Sequence, residues 1–301
     1  MTQPQPELIP GTQCYHGEGP CWADDWGDGG ASADEDRGGL PGGLRWVDML
    51  AGDVLALDGD GEVTRTHVGE VAAVIRPRAP GGAVLALKDR FVVTDGDLGQ
   101  LRTVAEVELK PGVRLNEGGC DPDGRFYCGS MATDESPQAG TFYRLDPDGS
   151  VHPVMDKVTI SNGFDFSPDG QIAYYVDTNE QSIDVFDYSP GTGLANRRRW
   201  AEVPYDTGRP DGLTVDAEGG VWLALMEGGA VHRYAPSGAL DAVIELPVSQ
   251  VTACTFGGPG LDTLYVTTSQ IGADTQAQPA SGALFAVQPG IRGRPALAFA
   301  G

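Results

Sequence analysis

Short apolar runs alternate with Pro/Asp/Gly turns along almost the whole chain. The segments VIRPRAPGGAVLALKD, GCDPDGRFYCGSM, FDFSPDGQIAYYVDT, LTVDAEGGVWLALM and TFGGPGLDTLYVTTS share one plan. Each is an apolar strand, a turn built from Pro, Asp and Gly, and a second strand rich in aromatic and β-branched residues. With Gly82, Gly124, Gly170, Gly219 and Gly260 as landmarks, successive spacings are 42, 46, 49 and 41 residues, the length of a four-stranded propeller blade. A further copy opens the chain, GEGPCWADDW followed by LRWVDML, with its turn swollen into GDGGASADEDRGGLPGG. The pattern therefore predicts an all-β, six-bladed propeller with four-stranded blades, occupying residues 1–301 as one domain. A sandwich or jelly roll needs no such repeat, and a helical solenoid would carry a 3.6-residue apolar period that is absent. The first inner strand begins near Glu18, so Glu7 to Gln13 are free to supply the outer strand of the last blade and remove a sheet edge.

Composition agrees with this reading: 44 Gly and 22 Pro accompany 40% hydrophobic residues, which suits many short strands joined by tight turns. The formal charge of −23 repels phosphate backbones and anionic lipid surfaces, so neither nucleic acid nor membrane is expected as a partner. Met1 to Gly11 carry no basic cluster or apolar run, and no apolar stretch approaches membrane-spanning length, so a cytoplasmic setting is expected. The five cysteines are odd in number and scattered without a CxxC pair, which points to buried reduced thiols. The acidic insertion at about 24–43 lacks the fixed spacing and terminal Glu of a helix-loop-helix calcium site and reads as a surface loop. It follows a strand of roughly five or six residues, about 17–20 Å long, and is expected on the face opposite Glu18. Arg197, Arg198 and Arg199 read as a solvated blade edge.

Candidate chemistry comes from phase. In a propeller the innermost strands line a central channel, so residues at equal phase converge on one axis. That phase holds Glu18 in the first blade, Asn116 and Glu117 in the third, Asn162 in the fourth and Asp211 in the fifth. Carboxylates gathered at one mouth repel, and a cation resolves the conflict. Glu18, Asn162 and Asp211 offer only oxygen, which suits calcium, magnesium or manganese. Taken singly, the Asn-Gly and Asp-Gly pairs also read as turns; their common phase favours the metal. No GxSxG, HExxH or phosphate-binding glycine loop occurs, and of the four histidines only His16 lies near a candidate ligand, where it reads as a packing or supporting residue.

GEGPCW, RLNEGGCDPDGRFYCGSM, ISNGFDFSPDG, YYVDT, VFDYSPGTG, RPDGLTVDAEGGVWLAL, FGG and the closing AFAG together make the chain resemble the senescence marker protein/gluconolactonase family, also called regucalcin-like. The resemblance implies a six-bladed propeller holding one divalent cation on Glu18, Asn162 and Asp211, with calcium foremost and zinc, magnesium or manganese as alternatives. It also implies that Arg114 and Asn116 hold a sugar lactone. Glu117 stands where the family usually has Asp, and Asp134 in MATDES is the positional match to an acidic substrate contact. The expected reaction is metal-dependent hydrolysis of gluconolactone-type aldonolactones to aldonic acids, with Asp211 as candidate general base. Alternatives are a phosphotriesterase-like hydrolase on the same scaffold and a non-catalytic calcium-binding regulatory propeller. The oligomeric state is not specified by any of these motifs.

Overall fold

Each repeat becomes one blade in the computed structural model, which describes residues 5–27, 41–58, 61–94, 96 and 98–301. Twenty-four strands form six four-stranded sheets, each ordered from the axis outward and antiparallel throughout. The inner strands of blades 1 to 6 are Gly17–Asp25, Ala72–Pro77, Val113–Cys120, Ser161–Phe166, Arg209–Val215 and Val251–Gly257. Blade 6 is completed from the other end of the chain: Glu7–Ile9 pairs with Leu284–Val287, placing Glu7 opposite Ala286 and Ile9 opposite Leu284. The expected closure is therefore present: Glu7–Ile9 covers the edge that Leu284–Val287 would otherwise leave open and becomes the outer strand of that sheet.

The turn repeat has a physical basis in hydrogen bonding. Asp121 and Asp216 each accept backbone N–H groups from two and four residues on, closing the DPDG and DAEG turns, and Ser167 plays the same part in SPDG by accepting from Ile172 N. Gly124, Gly170 and Gly219 sit at φ +76°, +69° and +84°, a region that penalises side chains, which is why glycine recurs at this spacing. Blade 6 departs from the plan: its glycine at positive φ is Gly258, at +82°, not the landmark Gly260.

Apolar layers lie between neighbouring blades rather than on the axis. Blades 3 and 4 share Tyr127, Phe142, Phe164, Phe166 and Tyr175, with Phe142 5.2 Å from Phe164 and 5.0 Å from Tyr175. Trp46, Leu55 and Leu284 join blade 1 to blade 6. Burying each such side chain contributes roughly 1.5–3 kcal/mol. All five cysteines are buried and unpaired, as expected for packing residues. Arg197 to Arg199 lie on an outer strand, Gly193–Glu202, where each meets an acidic neighbour.

The insertion joins Gly17–Asp25 to Pro41–Asp48 at the end where Asp25 faces Pro41, far from the Glu18–Val47 pair. Its central residues, 28–40, lie outside the described residues. On that same far face the C-terminal segment crosses the blades. Gly293 N donates to Leu261 O, Ala300 N to Gly124 O and Phe299 N to Pro77 O, while Arg294 reaches Asp165 and Phe166 O.

Candidate functional site

All six inner strands are interrupted by a register shift at one level of the axis. The shifts fall between Glu18 and Cys21, Ala72 and Val74, Leu115 and Gly118, Asn162 and Phe164, Pro210 and Leu213, and Val251 and Ala253. A β-bulge leaves residues unpaired and re-aims their side chains. Glu18, Asn116, Glu117, Asn162 and Asp211 all lie at these bulges, so the candidate ligands come from one structural device repeated around the ring. The Asn-Gly and Asp-Gly pairs are thus not hairpin turns. Their glycines are required by close approach: a Cβ on Gly163 would meet Leu213 N at 2.8 Å, and one on Gly212 would meet the Ala253 Cβ at 2.4 Å.

A chain of hydrogen bonds fixes the amides. Arg114 donates to Asn116 Oδ1, and Asn116 Nδ2 donates to Ser161 O at 2.8 Å and to Asn162 Oδ1 at 3.1 Å. Asn162 Nδ2 in turn donates to Thr178 Oγ1 at 2.7 Å, and that hydroxyl donates to Pro210 O. Thr178 therefore settles which way the Asn162 amide faces and ties it to the residue before Asp211. Sequence reading missed Thr178, which carries no metal-binding signature of its own.

The acids have no such settlement. Glu18, Glu117 and Asp211 are all buried. Glu18 Oε2 accepts only from Gly19 N, at 3.2 Å. Glu117 Oε1 accepts from Arg76 Nη2 at 2.8 Å and from Gly118 N at 3.1 Å, leaving Oε2 without a partner, and Asp211 Oδ1 is likewise buried and unpartnered. Burial pushes the Glu18 carboxyl well above the usual carboxylate range, and repulsion from Asp211 and Glu117 adds to it. Burial followed by repulsion from Glu117 does the same to Asp211. Burial also draws the Arg114 guanidinium down to about 10, against the pull of Glu18. His16 stands at the rim with Nδ1 2.9 Å from Ser269 Oγ and Nε2 3.7 Å from Glu18 Oε1; burial, reinforced by Arg114, lowers its pKa to about 3, so the imidazole is neutral at pH 7.

Asp134 is exposed and accepts from Ser136 N within its own turn. The next residue, Glu135, instead meets Arg209 at 2.8 Å and adds negative potential at both Arg114 and Asp211. Below the ring the axis holds a small cavity of about 70 Å³, bordered by Arg76, Glu117, Asp165 and Arg294.

Among the described residues no three His, Cys, Asp or Glu side chains are grouped closely enough to hold an ion by themselves. The donor set that fits one is two carboxylates and a carboxamide, Glu18, Asp211 and Asn162. The unpartnered Asp211 Oδ1 and the mutual repulsion of the acids are what a cation would relieve.

Residues 16–270 match the SMP-30/Gluconolactonase/LRE-like region. Regucalcin of Danio rerio is 37% identical over 248 residues, covering 80% of this chain and 84% of that protein. The chain belongs to the SMP-30/gluconolactonase/LRE-like family. Two solved structures superpose on it nearly end to end. A calcium-binding protein, regucalcin, from Agrobacterium tumefaciens has a TM-score of 0.87 at 26% identity, covering 99% of this chain and 97% of that one. A luciferin-regenerating enzyme has a TM-score of 0.85 at 27% identity, covering 99% of both chains. No helix among the described residues is long and apolar enough to cross a membrane.

The raised carboxyls have a measurable consequence. Groups that hold protons more tightly in the folded chain than in the unfolded one stabilise it at low pH. That contribution disappears as pH climbs from the ordinary carboxylate range, about 4, through the raised folded pKa. Metal-free protein is expected to lose thermal stability as pH climbs above the ordinary carboxylate range, about 4, more steeply than Asp211→Asn, which lacks one titrating carboxyl. Parallel curves for the two proteins would contradict this assignment.

Proposed function

We propose that the protein is a lactonase that opens sugar-type lactones, of the gluconolactone kind, to their hydroxy acids with the help of one divalent cation. The observation that carries this reading is the convergence of buried, repelling carboxylates with an arginine and two amides at one mouth of the axis. Glu18, Asn162 and Asp211 would hold the cation, and calcium is the first candidate because the donors are all hard oxygens and one relative is described as calcium-binding. When bound, the cation supplies Lewis acidity at the lactone carbonyl, on the order of several kcal/mol.

The chain's own residues do the remainder. Asp211, with its free Oδ1, takes the proton of the attacking water. Arg114, anchored through Nη1 to Leu115 O and Asn116 Oδ1, presents its remaining N–H donors to fix the lactone for attack, and Asn116, its amide N–H groups committed to Ser161 O and Asn162 Oδ1, offers Oδ1 to a substrate hydroxyl. Glu117 is held on the opposite side by Arg76 and offers Oε2 to a substrate hydroxyl, and Asp134 remains a candidate contact at the exposed rim. Three protein side chains leave coordination positions for water and substrate, which favours catalysis over a closed structural site.

Arg114→Ala is expected to reduce kcat/KM for an aldonolactone by about 10- to 100-fold, with a much smaller change in cation affinity measured by calorimetry. Equal losses in both would make the arginine a support for the site. In the same assay the parent protein should prefer aldonolactones to a phosphotriester; the reverse preference would replace the lactonase reading with the rival hydrolase.

A further inference from the structure

One level above the bulges, five of the six inner strands have, at or next to their first residue, a position fixed by pairing. Arg114 pairs with Met131, which also bridges to Ile160 in the next blade; Arg209 pairs with Met226, which also bridges to Gln250; and Ser269 bridges to His16. These contacts set His16, Arg114, Ile160, Arg209 and Gln250 at one height, two residues before Glu18, Asn116, Asn162, Asp211 and Thr252 respectively. Residues two apart in a strand share a face, so this upper ring stands between the acids and the solvent at the mouth.

Four of its five members are polar, and several keep hydrogen-bonding capacity that the protein does not use. Gln250 is 5% exposed, yet its Oε1 is buried with no partner. The His16 ring is anchored through Nδ1 to Ser269, leaving Nε2 too far from Glu18 Oε1, at 3.7 Å, for a hydrogen bond. Arg209 is held by Glu135 at 2.8 Å and approached by Glu227 at 3.8 Å. Leaving buried polar groups unpaired is costly, and a ligand that pairs them gains what a ligand lacking those groups forfeits.

We propose that this upper ring reads the hydroxyl groups of the substrate away from the lactone carbonyl, with His16, Gln250 and the Glu135–Arg209 pair as specificity-determining residues. The inference rests on the lactonase reading and adds to it the residues that discriminate between a hydroxylated lactone and a bare one. Charge selects against an anionic substituent. Arg209 is offset by Glu135 and Glu227, and Arg114 already faces Glu18 and Asp211, so no spare positive charge awaits a carboxylate or phosphate. An apolar tail fares no better, because Ile160 is the one hydrocarbon side chain in the ring.

The test compares kcat/KM for a polyhydroxylated aldonolactone and for an unsubstituted lactone of the same ring size, in the parent, Gln250→Leu, Glu135→Gln and the milder Arg209→Lys, each loaded with calcium. The selectivity ratio is expected to fall about tenfold for each hydrogen bond lost, mainly through KM of the hydroxylated substrate. Ratios unchanged in all three variants, or equal losses on both substrates, would overturn the proposal. A parent that hydrolyses neither lactone would instead remove the lactonase reading on which it stands.

Discussion

Asp211→Ala is expected to lower metal-dependent lactone hydrolysis by about a thousandfold or more, because it removes a cation ligand and the proposed base together. Glu18→Ala should act in the same direction through the cation alone. Neither change should unfold the protein. Asp211 Oδ1 has no partner to lose; removing Asp211 relieves the repulsion that adds to burial in raising the Glu18 carboxyl, and removing Glu18 takes one buried carboxyl out of the mouth. The metal-free variants should therefore be at least as stable thermally as the metal-free parent. Activity and cation binding by calorimetry should disappear together in Glu18→Ala; parental turnover in either variant without stoichiometric cation would show that the ligands are misassigned.

The second large effect is structural. Asp216 is fully buried and accepts four hydrogen bonds: Glu218 N and Gly220 N on Oδ1, Trp222 Nε1 at 2.9 Å and Arg233 Nε at 2.7 Å on Oδ2. It closes the blade 5 turn and neutralises a buried guanidinium at the same time. Asp216→Ala strands all four donors and leaves Arg233 to its more exposed partners Glu218 and Asp241. Removing one member of a buried ion pair costs about 3–5 kcal/mol, and the unmet turn donors act in the same direction. Urea unfolding should show a lower midpoint with an unchanged slope. A loss below about 1 kcal/mol would mean that the turn closes without the carboxylate.

Much of this molecule was legible from its sequence because a propeller repeats one local solution. The Asp/Ser-x-x-Gly turns announce themselves at Gly124, Gly170 and Gly219, where both the acceptor and the positive φ are local requirements. Blade 6 was harder to phase, since Gly258 rather than Gly260 holds the positive φ and the surrounding GGPG offers several glycines. Glu18, Asn162 and Asp211 could be gathered by phase because each lies on a bulge at the same level. What phase cannot supply is contact between strands. Arg76 holds Glu117 from the neighbouring blade, Ser269 anchors His16 across the seam that joins the two ends of the chain, and Thr178, in the same blade as Asn162, orients it from the segment after the second strand. Each of these has an ordinary strand or turn context of its own, and its role exists only once the partner strand is beside it. The Asp134/Glu135 pair is the same lesson at one-residue scale: Glu135, at φ +57°, meets Arg209 on blade 5, whereas Asp134 bonds within its own turn.

One bound cation is expected to be necessary for lactone opening. Chelated protein should release no acid from an aldonolactone above the spontaneous rate, and activity should return on adding calcium, magnesium, manganese or zinc, reaching its plateau at one equivalent of the ion that binds most tightly. Full activity in the chelated protein, or a plateau reached with no cation bound at Glu18, Asn162 and Asp211, would contradict it.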